Sequence, residues 1–89
     1  MKKSVFTAEY AVLRAELVKM RTQAGLTQRA LAHKLGVSHS WVAKVEMGER
    51  RLDVIELLRV LCACKAEPLP VVEDLLKKMA SPKRRNGKE

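Results

Sequence analysis

Thr27, Ser38 and Asp53 each stand just before a run of helix-forming residues. Each is bracketed by an apolar pair: Leu26 with Leu31, Val37 with Val42, and Leu52 with Leu57. A side-chain oxygen at such a position accepts from backbone N–H groups that the first helical turn leaves without partners. An apolar residue just before it and another four residues into the helix clamp the incoming chain onto that turn. Asp53 also has Glu56 three residues on, which makes an Asp-headed reciprocal capping pair. Gly36 and Gly48 supply the ends of the first two of these helices. Three matched starts in series leave room for short helices and for little else.

The rest of the chain reads the same way. Leu13, Leu17, Met20 and Ala24 recur at helical spacing, with Thr7 as the N-cap of a first helix and Glu9 complementing its dipole. A fourth helix is predicted from Val54 to about Cys64. Pro68 and Pro70 fit only in or before a first turn, so a fifth helix starts there and reaches about Met79. No stretch alternates apolar and polar residues between turn signals, so no strand is expected. The predicted architecture is all-α: a compact five-helix domain over residues 1–80, followed by a basic tail, 81–89, that has no apolar side chain to bury and is expected to be disordered.

With 89 residues and only one each of Trp, Tyr and Phe, the core must be aliphatic, and the chain is too short for a multidomain enzyme. No uncharged run approaches the roughly 20 apolar residues of a membrane span. Met1-Lys2-Lys3 is not followed by a continuous apolar core, so no export signal is expected and the reading is cytoplasmic. The net charge of +8 is uneven: residues 21–51 hold six basic against two acidic side chains, and the two ends carry most of the remainder. Positive charge gathered in one segment suits phosphate binding. Cys62 and Cys64 would point about 200° apart on a helix and cannot chelate one ion; Cys62, four residues after Leu58, reads as core. His33 has no ligand partner at suitable spacing. Neither a metal, a cofactor nor a catalytic constellation is expected.

Residues 28–47 form a helix, a tight turn and a second helix. Leu31, Ala32, Leu35, Gly36, Val37, Val42 and Val45 fall where a helix-turn-helix needs small, turning and core residues. On the second helix, at about 100° per residue, Val42 and Val45 define the inward side. Ser40, Ala43, Lys44 and Met47 face outward, with His39 and Trp41 on the shoulders. A face without acids, carrying hydrogen-bonding residues at its N-terminal end, suits a major groove.

With Gly25-Leu26-Thr27-Gln28 at the start and Glu46-Met47-Gly48-Glu49-Arg50 at the exit, the segment resembles the lambda-repressor-like, or XRE, family of DNA-binding regulators. Including flanking helices, the resemblance covers roughly residues 8–79. It implies a sequence-specific transcriptional regulator, a homodimeric repressor whose helix 38–47 reads a palindromic double-stranded DNA operator. It implies that His39, Ser40 and Lys44 read base edges, and that Gln28 anchors a phosphate and braces the reading helix. Arg29, Ser38, Trp41, Arg50 and Arg51 are further phosphate candidates. Arg21 and Glu46 match a partly buried ion pair joining the first helix to the reading helix. Variants of the same fold are an antitoxin with a toxin partner and a restriction–modification controller; an adaptor that has lost DNA binding is the rival from another class.

The fourth and fifth helices carry more apolar residues than one core stripe needs. Val54, Ile55, Leu58, Leu61 and Cys62 are assigned inward. Leu57, Val60 and Cys64, with Val72, Leu76 and Met79 of the fifth helix, are then expected to form the dimer interface. Packing of the surplus stripe beneath Val5, Phe6 and Tyr10 is the alternative.

Overall fold

The computed structural model describes residues 7–80; the predicted tail at 81–89 and the placement of Val5 and Phe6 lie outside the described residues. Five helices follow in order: α1 (Ala8–Gln23), α2 (Gln28–Leu35), α3 (His39–Met47), α4 (Val54–Ala63) and α5 (Pro68–Met79). No strand occurs among the described residues.

The helix starts are those the side chains dictate. Thr7, Thr27 and Ser38 each accept at the hydroxyl oxygen from the backbone N–H three residues on, at 3.0 Å. Asp53 and Glu56 close the reciprocal cap, Glu56 N–H to Asp53 Oδ1 at 2.8 Å and Asp53 N–H to Glu56 Oε1 at 3.0 Å. The Asp53 N–H, aided by Arg50, holds the Glu56 carboxyl below its ordinary range. Gly36 (φ 74°) and Gly48 (φ 84°) end α2 and α3 in the left-handed conformation. Pro68 opens α5, where its missing N–H costs no intrahelical bond.

α1 packs against α3 and α5, while α2 packs against α3 and α4. Leu17 and Met20 of α1, Leu31 and Ala32 of α2, Val42 and Val45 of α3, and Val60, Leu61 and Cys64 at α4 form one buried cluster. α5 is attached through Val71, which packs against this cluster, through the buried Leu75, and by a charged clasp. Buried Glu16 accepts from Lys78 Nζ at 2.9 Å, and Asp74 lies 3.1 Å from the same ammonium. The two carboxylates push the Lys78 ammonium pKa up, Glu16 contributing more.

Leu61 is buried as expected, but the other assigned positions of α4 are reversed. Val60 and Cys64, expected at a dimer surface, are buried, and Leu57 packs half-buried against the core. Val54, Ile55, Leu58 and Cys62, expected inside, are exposed. The physical reason is the clamp at the helix start. Leu52 and Leu57 both pack on the core, and residues 60, 61 and 64 follow Leu57 on the same face at i+3, i+4 and i+7. On α5, Val72 and Leu76 are exposed, while Met79 is half-buried.

Candidate nucleic-acid interface

α2 and α3 meet through the short turn at Gly36, and α3 is held by three side chains from two helices. From α1, Arg21 grips Glu46 with two bonds, Nε to Oε2 at 2.7 Å and Nη2 to Oε1 at 3.1 Å. The two side chains are only 14% and 7% exposed, so this is a largely buried ion pair with bidentate geometry. Arg21 also donates from Nη1 to the Leu26 carbonyl, tying down the loop before α2. From α2, Gln28 donates through Nε2 to Glu46 Oε1 at 2.8 Å, and its Oε1 lies 3.1 Å from His39 Nε2. Residues at both ends of α3 therefore hang from one bonded chain: Arg21, Glu46, Gln28, His39. Arg14 of α1 adds a third support, Nη1 donating to the Glu46 carbonyl at 3.4 Å in the last turn, where a cation suits the helix dipole.

The opposite side of α3 is open. Ser40, Lys44 and Met47 are exposed, while Glu46, the one carboxylate of α3, is turned inward onto Arg21. His39 is half-buried at the N-terminal edge of this face and touches Gln28. The structure thus places Ser40 and Lys44 on one exposed helix face, with His39 at its N-terminal edge joined to Gln28.

The remaining candidates divide. Ser38 spends its hydroxyl oxygen on the α3 cap and keeps its proton to donate. Trp41 is half-buried against the core, and the Arg50 guanidinium lies over its ring at 4.9 Å. Arg50 is further held by the Glu56 carboxylate at 3.2 Å and by the Arg51 carbonyl at 2.7 Å, which fixes it beside α3. Arg51 lies 5.7 Å from the Tyr10 ring centroid, on the α1 side. Arg29 is exposed in the first turn of α2.

Sequence reasoning missed several positioning groups. Tyr10 accepts from the Leu52 N–H at its hydroxyl, 2.6 Å, and so anchors the segment between α3 and α4. Glu56 was read as a cap alone, yet it also holds Arg50. Glu16 carried a signal: it lies three residues after Leu13 and four before Met20, on the inward stripe of α1. Among the described residues, no three His, Cys, Asp or Glu side chains are placed to hold a metal ion, and no helix is long and apolar enough to cross a membrane.

Comparison with known proteins bears on this geometry. No curated protein sequence matches the chain significantly. Solved structures do. An XRE-family like protein from Pseudomonas syringae pv. tomato str. DC3000 is 38% identical, over 82% of this chain and 88% of that one, with a TM-score of 0.75. The gene regulator ClgR of C. glutamicum is 27% identical, over 84% and 97% of the two chains, with a TM-score of 0.71. The restriction–modification controller C.Esp1396I, solved as a tetramer on its natural 35 base-pair operator, shares the fold at 20% identity, over 82% and 96%, with a TM-score of 0.72. A helix-turn-helix domain family matches residues 12–76. The chain, with its five helices and the α2–α3 pair braced by Arg21 and Glu46, belongs to the XRE-type helix-turn-helix family.

Proposed function

We propose that this protein is a sequence-specific DNA-binding transcriptional regulator that inserts α3 into the major groove. The observation that carries the reading is the exposed, acid-free face of α3, with Ser40 and Lys44 on it and the sole carboxylate of the helix locked away on Arg21. Lys44 donates to guanine O6 or N7, Ser40 donates or accepts, and His39 covers the N-terminal edge. Gln28, Arg29, Ser38, Trp41, Arg50 and Arg51 supply donors to the phosphates on either side of the groove. An adaptor that has abandoned DNA has no need of a basic middle segment around an acid-free helix face. The operator-bound likeness of C.Esp1396I and the regulator ClgR support the same reading.

The protein acts as a homodimer on a palindromic operator and represses by occupying promoter DNA, as a component of the cytoplasm gathered on the nucleoid. Val54, Ile55 and Leu58 of α4, with Val72 and Leu76 of α5, supply the apolar surface for a second copy. A two-fold axis there leaves both α3 helices free and sets them about 34 Å apart on successive major grooves. Control of restriction–modification genes, or an antitoxin role with a toxin partner, would use this same DNA-facing surface.

The test is selection of bound duplexes from a random pool, followed by mobility shift with the recovered sequence. A recovered palindrome, bound far more tightly than scrambled duplex and no longer preferred by a Ser40→Ala, Lys44→Ala double variant, supports the reading. Equal affinity for selected and scrambled DNA overturns it.

A further inference from the structure

Polarity along the bonded chain from α1 to α3 is set at one end and read at the other. Glu46 faces Arg21 through both oxygens, and an ionised carboxylate only accepts hydrogen bonds. The Gln28 group 2.8 Å from Glu46 Oε1 must therefore be the amide nitrogen, since a carbonyl oxygen there would set one acceptor against another. That orientation leaves Gln28 Oε1, again an acceptor, 3.1 Å from His39 Nε2. A neutral imidazole has one N–H and one bare nitrogen. To satisfy Gln28, the proton must sit on Nε2, and Nδ1 carries the lone pair.

We propose that Glu46, acting through Gln28, fixes the neutral His39 ring as the Nε2–H tautomer and so makes His39 a reader of base-edge donors. This rests on the DNA-binding reading of α3. In the major groove, adenine N6 and cytosine N4 offer N–H donors, whereas guanine O6 and N7 and thymine O4 are acceptors. With its proton committed to Gln28, Nδ1 accepts from adenine or cytosine and repels guanine and thymine on the strand it faces. Glu46 and Gln28 are positioning residues here: neither touches the base, yet both decide which base is accepted.

The test has two readouts on the full chain, run at about pH 8 to populate the neutral ring. The first is a long-range ¹H–¹⁵N spectrum of histidine-labelled protein without DNA, with exposed His33 as the internal comparison. The expected result is the Nε2–H form at His39, its ring proton exchanging more slowly than that of His33 and losing this protection in Gln28→Ala. The Nδ1–H form, or exchange as fast as in His33, overturns the proposal.

The second readout is mobility shift with all four bases at each position of the selected half-site. At one position, adenine and cytosine should be favoured about five- to tenfold over guanine and thymine. That preference should vanish in His39→Ala and relax in Glu46→Gln, where a side-chain N–H can face Gln28 and let its amide turn over. A preference for guanine or thymine, or one unchanged in both variants, overturns the proposal and leaves the DNA-binding reading standing. No specific binding to any duplex overturns both.

Discussion

Arg14 lies flat against Gly48: its Cδ, Nε and Cζ atoms come within 3.1–3.2 Å of where a β-carbon at that glycine would stand. Gly36 has the same left-handed backbone, φ 74° against 84°, but nothing within 4 Å of its own β-carbon position. The pair separates backbone strain from crowding. Gly36→Ala should cost about 1–2 kcal/mol, the left-handed penalty of an L-residue. Gly48→Ala should cost about 1 kcal/mol more, because Arg14 must leave the C-terminal turn of α3. Urea midpoints of the two variants check this; equal losses would show that Arg14 yields freely.

Arg21 and Glu46 join α1 to α3 through a largely buried ion pair. Removing either partner alone strands a charge that is almost fully screened from water, at a cost of about 3–5 kcal/mol, less to the extent that water reaches it. A double-mutant cycle on thermal or urea stability should return a clear coupling energy. A value indistinguishable from zero contradicts the geometry.

Much of this was legible in the sequence, and for local reasons. A cap and a clamp are encoded within a few residues at the starts of α2, α3 and α4, and Pro68 and Pro70 place the start of α5, so the helices and the turn at Gly36 follow from local signals. The facing of α4 differs from the expectation although its clue lies in the sequence. Counting apolar residues favours the stripe of Val54, Ile55, Leu58, Leu61 and Cys62 over the one of Leu57, Val60 and Cys64. The Leu52–Leu57 clamp decides for the other stripe, because a clamped N4 residue must point at the core. The Gln28 amide orientation and the Tyr10 bond to Leu52 were not legible. Both depend on which groups meet across 11 or 42 residues of chain, and only the fold sets that.

Lys44 and Arg50 should separate base reading from phosphate binding. Lys44→Ala should weaken operator binding by about 1–3 kcal/mol and relax preference at one position. Arg50, pinned between the Trp41 ring and the Glu56 carboxylate, contacts no base in this reading. Arg50→Ala should weaken selected and scrambled DNA alike and lower the salt slope by about 1. Titrations at several salt concentrations check both; a change of base preference in Arg50→Ala would move that residue into the groove.

Cys62 and Cys64 should react in sequence. Cys62 is exposed on α4, while Cys64 is in the core, and burial pushes its thiol pKa up so that less thiolate forms at any given pH. Iodoacetamide should modify Cys62 in the native protein and Cys64 only after unfolding in urea, as read by peptide mass. The reverse order would contradict the assigned facing of α4.

Substitutions on α4 test that facing and the proposed dimer together. Ile55 and Leu58 are 59% and 44% exposed, whereas Val60 is 3% exposed, so a carboxylate has opposite consequences at the two places. At Val60 it would be an unpaired buried charge and should unfold the domain. At Ile55 and Leu58 it stays in water in the isolated chain, and its cost falls only on association. Ile55→Glu with Leu58→Glu should therefore keep the helical circular dichroism and the native urea midpoint of a monomer, sediment as a single chain, and bind a half-site weakly. Arg59 and Lys34 flank the same face and would draw the new carboxylates outward rather than force them inward. If the unmutated chain already sediments as a monomer at micromolar concentration, the dimer and the palindromic operator both fail, while the contrast between Val60 and Ile55 still decides which side of α4 is the core.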